Sequence, residues 1–163
     1  MRRGTAVHPD KSAVTRALEL LKDRDYTGKR LYDKLLATGY SEEEATEALE
    51  RMVRERFVDD ERYARSFADY HMGDRSILRI RQDLVSRGID SDTVERILSE
   101  VAEEHGGAED IELKKAVAVL AKKHVTADDL SDYETRQKIM GSLVRKGFTA
   151  DTARRACDTF RSP

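Results

Sequence analysis

The chain has 163 residues, 39% hydrophobic and 38% charged, with a formal net charge of -2 from 30 basic and 32 acidic side chains. This composition fits a folded protein and excludes a global field that would draw the molecule onto nucleic acid or membrane, so any such contact must come from a local patch. The single cysteine, Cys157, excludes an internal disulfide and suits a reducing cytosol, where the protein is expected to reside.

The two prolines, Pro9 and Pro163, stand at the ends and leave the body of the chain open to uninterrupted helices. Residues 1–12 carry two arginines but lack the apolar run of an export signal, and read as a flexible N-terminal arm. No later segment approaches the apolar length of a membrane span. From Ala13, the spacing of Val14, Ala17, Leu18 and Leu21 predicts a helix ending near Asp25. Thr27 then caps a second helix with Leu31, Leu35 and Leu36 facing inward, and Gly39 supplies its left-handed stop. Ser41 followed by Glu44 has capping-box spacing, and Ala45, Ala48, Leu49, Met52 and Val53 continue a third helix to about Arg54.

The same grammar then returns. Phe57 and Val58 close the first unit, and Asp59 and Asp60 start a helix with Tyr63, Phe67 and Tyr70 as its stripe, to about Met72. Ser76 stands where Thr27 stood; Ile77, Ile80 and Leu84 share one side of the next helix, Gly88 ends it, and Val94, Ile97, Leu98 and Val101 mark a third after Asp90. Gly106 and Gly107 form the best flexible boundary. The third copy opens with Leu113, Ala116, Val117, Leu120 and Ala121, and carries an aspartate-rich insertion from His124 to Asp132. Thr135 then begins its middle helix, with Ile139 and Leu143 inward, and Gly147 stops it before Thr149 caps a last helix carrying Ala153, Ala156, Cys157 and Phe160.

Overlaying Leu35-x-x-x-Gly39-Tyr40, Leu84-x-x-x-Gly88-Ile89 and Leu143-x-x-x-Gly147-Phe148 shows tandem units of one type. The expected fold is all-α: three-helix, helix-turn-helix-like repeats at 13–58, 59–107 and 108–163, in an elongated arrangement that leaves room for curvature. No unused heptad seam argues for a dimer, so a monomer is expected.

Catalytic ingredients are scattered. His8, His71, His105 and His124 lack metal-ligand spacing, and no metal site, cofactor or enzymatic activity is expected. Thr27-Gly28-Lys29-Arg30 suggests a phosphate loop but lacks that motif's first glycine and sits at a helix start without a preceding strand. Asp59 and Asp60 are more simply caps than acid–base residues, and Cys157 is a small core residue. The middle helices carry cations away from the core: Arg75 and Arg79 are four apart, Arg30 and Lys138 occupy positions equivalent to Arg79, and Lys29, Arg136, Arg145 and Lys146 add to them. Such a stripe suits phosphates or an acidic protein groove, and equally an ion-paired solvated surface. Arg81 projects near the apolar side and is expected to snorkel or to pair with Asp59 or Asp60.

Phe57-Val58-Asp59-Asp60-Glu61-Arg62-Tyr63-Ala64, followed by Ile80-Arg81-Gln82-Asp83-Leu84 and Arg87-Gly88-Ile89, resembles the central motif of the RecX regulatory proteins. The resemblance extends to Ala17-Leu18-x-x-Leu21 and Arg24-Asp25-Tyr26-Thr27 in the first unit and Leu143-x-Arg145-x-Gly147-Phe148 in the third, covering nearly everything beyond residue 12. One departure lies at His71-Met72-Gly73-Asp74-Arg75-Ser76, where the family's glycine near Ser76 is shifted and an aspartate added. The resemblance implies a non-enzymatic modulator of the RecA recombinase. Such a protein lies along the groove of the RecA–DNA filament and restrains its extension, ATP hydrolysis and strand exchange in repair and recombination. It makes Phe57, Asp59, Asp60, Tyr63, Arg81 and Gly88 mainly structural motif residues, while the basic stripe supplies Arg30, Arg75, Arg79 and Lys138 as candidate contacts to RecA or, more weakly, DNA. The alternative from the residues is a stand-alone helix-turn-helix reader of nucleic acid, and a third is a passive helical scaffold.

Overall fold

The computed structural model describes residues 10–161, so His8 and most of the N-terminal arm lie outside the described residues. Ten helices and no strand occur there: α1 (Ala13–Asp23), α2 (Gly28–Thr38), α3 (Glu42–Arg54), α4 (Asp60–His71), α5 (Ile77–Ser86), α6 (Ser91–Glu104), α7 (Ala108–Lys122), α8 (Ala127–Ser131), α9 (Tyr133–Arg145) and α10 (Ala150–Arg161). None is long and apolar enough to cross a membrane.

Local chemistry sets the boundaries. Ser12, Thr27, Asp59, Ser76 and Asp90 each accept a bond from the amide three residues on, which satisfies a helix N–H that has no partner inside the helix. Ser41 and Glu44 complete the capping box at α3. At the other end, Gly39, Gly88 and Gly147 take φ of +107°, +85° and +96°, the left-handed conformation that ends each middle helix at low steric cost. Leu35, Leu84 and Leu143, four residues before these glycines, are fully buried, and burial of one such side chain contributes roughly 1.5–3 kcal/mol.

Three hydrophobic cores follow in chain order. The first gathers Leu31, Leu35, Tyr40, Met52 and Val58; the second Ala64, Ala68, Ile80, Leu84, Val94 and Val101; the third Ala116, Leu120, Leu130, Leu143, Ala153 and Cys157. The second core runs past Gly106 and Gly107 to take in Ile111 of α7. Among the described residues, no hydrogen bond or ion pair joins the first unit to the third.

Several expected details differ. On α4 the core positions are Ala64 and Ala68, whose small side chains let α6 approach; Tyr63 and Phe67 flank them half-buried, and Tyr70 is 81% exposed. Leu18, Val53 and Phe57 are likewise exposed, so in the Phe57-Val58 pair it is Val58 that fills the first core. The insertion before α9 folds as α8, held by a Thr126–Asp129 capping box and anchored by buried Leu130. The middle helix of the third unit begins at Tyr133, two residues before Thr135, because Asp132 caps it and accepts the Thr135 amide at 2.8 Å. The turn at His71–Ser76 closes through bonds from the Asp74 and Arg75 amides to the His71 carbonyl, and Gly73 has neither positive φ nor crowding to require a glycine.

The units are linked by a joint used twice. At the first, the Thr27 hydroxyl donates to the Arg87 carbonyl at 2.6 Å and the Gly28 amide donates to Asp60 Oδ1 at 2.8 Å. At the second, the Ser76 hydroxyl donates to the Lys146 carbonyl at 3.1 Å and the Ile77 amide to Glu112 Oε1 at 3.0 Å. Each time the end of one middle helix docks on the start of the preceding one, so unpaired carbonyls meet an N-cap hydroxyl. The closeness requires the glycines: a Cβ on Gly88 would lie 2.3 Å from the Lys29 side chain, and one on Gly147 2.3 Å from the Ser76 hydroxyl.

Candidate functional site

The second joint creates a cleft of about 590 Å³ along α5, lined by Asp74, Arg75, Ser76, Arg79, Asp83, Arg87, Val119, Arg145, Lys146 and Phe148. Its construction starts with Asp83, two turns into α5 and largely shielded from solvent, which accepts Arg75 Nη1 at 2.7 Å and lies 3.5 Å from Arg79 Nε. One carboxylate therefore fixes two guanidinium groups on the same wall. Arg87 reaches back along the helix to donate to the Asp83 carbonyl at 2.6 Å, with its guanidinium carbon 4.4 Å from the centre of the Phe67 ring. From the opposite side the clasped Lys146 carbonyl brings Arg145 and Lys146 over the first turn of α5, and neither side chain has a carboxylate partner among the described residues.

Five cations thus line the cleft along α5, from Arg75 and Arg79 at its start to Arg87 at its C-terminal end, with Arg145 and Lys146 opposite and the carboxylates of Asp74 and Asp83 among them. Asp74, which also lines the cleft, lies 3.1 Å from His71 Nδ1, and Asp83 is shared between two guanidinium groups. The result is an open, polar, positively charged cleft suited to phosphate or carboxylate groups on a macromolecule.

Of the four candidate contact residues, Arg75 and Arg79 lie together here. Arg30 lines a separate cleft at the first joint with Arg24, Asp25, Tyr26, Asp33, Lys34, Ala37 and Tyr63. Lys138 is exposed on α9, near the Asp132 carboxylate, and lines neither cleft. Arg81 does not pair with Asp59 or Asp60: its Nη2 donates to Glu95 at 2.9 Å, because α5 and α6 pack side by side and bring these positions together. Asp59 caps α4, while Asp60 is spent on Gly28, a contact between units. That contact also fills the helix N-terminus in Thr27-Gly28-Lys29-Arg30 with the chain's own carboxylate.

Arg87 is not legible as a cleft residue from α5 alone. The available signal is that it immediately precedes Gly88 as Lys146 precedes Gly147, the two residues whose carbonyls form the joints. Beneath the cleft, Lys115 is buried: its Nζ donates to the Arg75 carbonyl at 2.6 Å and to Glu112 at 3.2 Å. Burial pushes its pKa down from the ordinary lysine value, with Glu112 opposing. Cys157 is buried in the third core, which pushes its thiol pKa up and keeps it a poor nucleophile. No group of three potential metal ligands occurs among the described residues.

Comparison with known proteins matches the three units in order. Residues 13–52 match the first three-helix domain of RecX, 59–98 the second and 110–157 the third. The chain is 31% identical over 141 residues to Regulatory protein RecX of Trichlorobacter lovleyi, covering 85% of this chain and 88% of the relative. It is 30% identical over 148 residues to Regulatory protein RecX of Neisseria meningitidis serogroup C, covering 91% and 90%. The crystal structure of RecX from Lactobacillus salivarius superimposes with a TM-score of 0.75 over 91% of this chain and 94% of that one, at 24% identity, a likeness of fold. With three units in register and relatives matched over most of their length, the chain belongs to the RecX family of regulatory proteins.

Proposed function

We propose that this protein is a non-enzymatic, cytoplasmic regulator of the RecA recombinase that lies as a monomer along the groove of the RecA–DNA filament and restrains its extension, ATP hydrolysis and strand exchange. The observation that carries this reading is the cationic cleft at the second joint, set in a serial array of units. Three linked units contact successive subunits of a repeating partner, and each bound unit raises the effective concentration of the next. Arg79, Arg145 and Lys146 anchor to filament phosphate or acidic RecA surface, Arg75 is held beside them by Asp83, and Arg30 and Lys138 add outlying cations.

RecA-catalysed ATP hydrolysis on single-stranded DNA, with this protein titrated in, tests the reading. The parent chain should inhibit at substoichiometric or stoichiometric ratios. Arg79→Ala with Arg145→Ala and Lys146→Ala, all exposed positions, should need roughly tenfold more protein while melting unchanged. Inhibition unaltered by the triple substitution would remove the cleft from the mechanism, and absence of inhibition by the parent chain would remove the function.

The helix-turn-helix reader is disfavoured by charge. The third helix of the first unit carries Glu42, Glu43, Glu44, Glu47 and Glu50, and that of the second Asp92, Glu95, Glu100, Glu103 and Glu104, which would repel the phosphates flanking a major groove.

A further inference from the structure

α7 belongs to two cores at once. Ile111, in its first turn, packs into the second core, whereas Leu113, Ala116, Val117 and Leu120 farther along it pack into the third. The third unit therefore parts from the second only as a body, by withdrawing Ile111 and turning at the segment just before α7. That segment is Gly106-Gly107. Both glycines take positive φ, +100° and +98°, and nothing lies within 4 Å of where a Cβ would stand on either, so rotation there meets little steric resistance. The linker between the first two units is the opposite case. The Phe57 and Val58 amides both donate to the Met52 carbonyl, at 2.9 and 3.1 Å, Val58 is buried in the first core, and Asp59 beside it already caps α4. No residue is left free between the last anchor of one unit and the cap of the next.

Few groups hold the third unit against the second: Ile111 in its core, the Ser76–Lys146 clasp, the bond from the Ile77 amide to Glu112, and Lys115 on the Arg75 carbonyl. Two effects oppose them. Docking takes the Lys115 ammonium out of water, against Met72 Sδ and the Arg75 carbonyl of the second unit, and this burial lowers its pKa despite the pull of Glu112 and Asp74. Docking also brings Arg145 and Lys146 over the wall that carries Arg75 and Arg79, where a single carboxylate, Asp83, is shared by the latter two. Like charges therefore face each other across the boundary.

We propose that the third unit is a hinged jaw: α7 to α10 undock from the second unit as one body about Gly106-Gly107 and open the cationic cleft, while the first two units move together. The docked and undocked forms exchange in the free protein, and a partner that touches both walls of the cleft selects the docked one. Width of the cleft is then set by rotation, with neither neighbouring core repacked beyond the release of Ile111. This motion belongs to the chain alone and is measured without RecA, so its absence leaves the regulatory reading standing, and a chain that fails to inhibit RecA could still carry the hinge.

Double electron–electron resonance on the intact protein reads the distances. Spin labels on Asp92→Cys with Ala127→Cys span the second joint, and labels on Glu47→Cys with Asp92→Cys span the first; all three positions are exposed, and Cys157, 1% exposed, stays unlabelled. The first pair should give one narrow distribution, and the second a main distance with a minor displaced component. Ser76→Gly deletes the clasp hydroxyl while leaving a residue tolerated at the cap, and should enlarge the minor component about fivefold, the effect of one hydrogen bond. Thr27→Gly makes the same deletion at the first joint and should leave the first pair narrow. Ile111→Ala should enlarge the minor component about tenfold or more, with Ser76→Gly deciding the matter if that variant unfolds. Arg145→Ala with Lys146→Ala should shrink it, because repulsion across the cleft is removed. Circular dichroism should show unchanged helicity in Ser76→Gly. A second-joint distribution that stays single and narrow in Ser76→Gly, equal broadening of both joints, or displacement that comes only with lost helicity overturns the hinge.

Discussion

The two joints use the same parts with different chemistry. Each has an N-cap hydroxyl given to a carbonyl, a first-turn amide given to a carboxylate, and a left-handed glycine packed close. At the first, the carboxylate is Asp60, at the start of α4, and no buried lysine accompanies it. At the second, Glu112 comes from the second turn of α7 and is shared with buried Lys115, which also holds the Arg75 carbonyl. The first joint is therefore a set of hydrogen bonds, and the second adds a desolvated ion pair beneath a wall of cations. Repetition keeps the geometry of the clasp and leaves its electrostatics free to diverge, and the anion-attracting cleft forms at the joint with the buried pair.

The parallel between the joints is disrupted most severely by Gly147→Ala, which imposes a left-handed φ on an L-residue and drives a Cβ into Ser76; a loss of roughly 3–4 kcal/mol in urea unfolding is expected, with Gly88→Ala close behind. Lys115→Met should cost about 3 kcal/mol because it leaves Glu112 buried without its partner, while Lys115→Met with Glu112→Gln should recover most of it. Failure of the double variant to recover would show that Lys115 acts through Arg75 alone. Losses of about 1–2 kcal/mol each are expected for Thr27→Val and Ser76→Ala, which remove the cap and the clasp together. Equal losses would mean that the two clasps are one device.

A fainter signature distinguishes the joints by pH. Burial lowers the pKa of Lys115 below 10.5, so the folded chain releases that proton before the unfolded chain does. The unfolded state then binds more protons in that window, and this group's contribution to stability rises as pH climbs toward 10.5. Unfolding free energies of the parent chain relative to Lys115→Met should show a positive slope there; a negative slope would mean that attraction to Glu112 outweighs burial.

What is legible in the sequence is local. Thr27, Ser41 with Glu44, and the three glycines act within a few residues, so their chemistry can be read without any knowledge of packing. The stripe on α4 is ambiguous because two overlapping apolar faces run along it, and helical spacing cannot say whether Ala64 and Ala68 or the aromatics meet α6. The partners of Asp60, Glu112 and Arg81 depend on how helices dock, which no single-helix pattern contains. Arg75 and Arg79 are legible as a pair, four residues apart on one helix entry, but their confrontation with Arg145 and Lys146 exists only once Ser76 holds α9.

The clasp also gives the molecule a direction. Because α9 ends on the start of α5 and α5 on the start of α2, one extremity of the series finishes in the exposed Gly39 turn and the other in the Asp132 carboxylate. Turned end for end, the molecule would offer a different sequence of surfaces. On a polar track the two orientations would therefore not be equivalent.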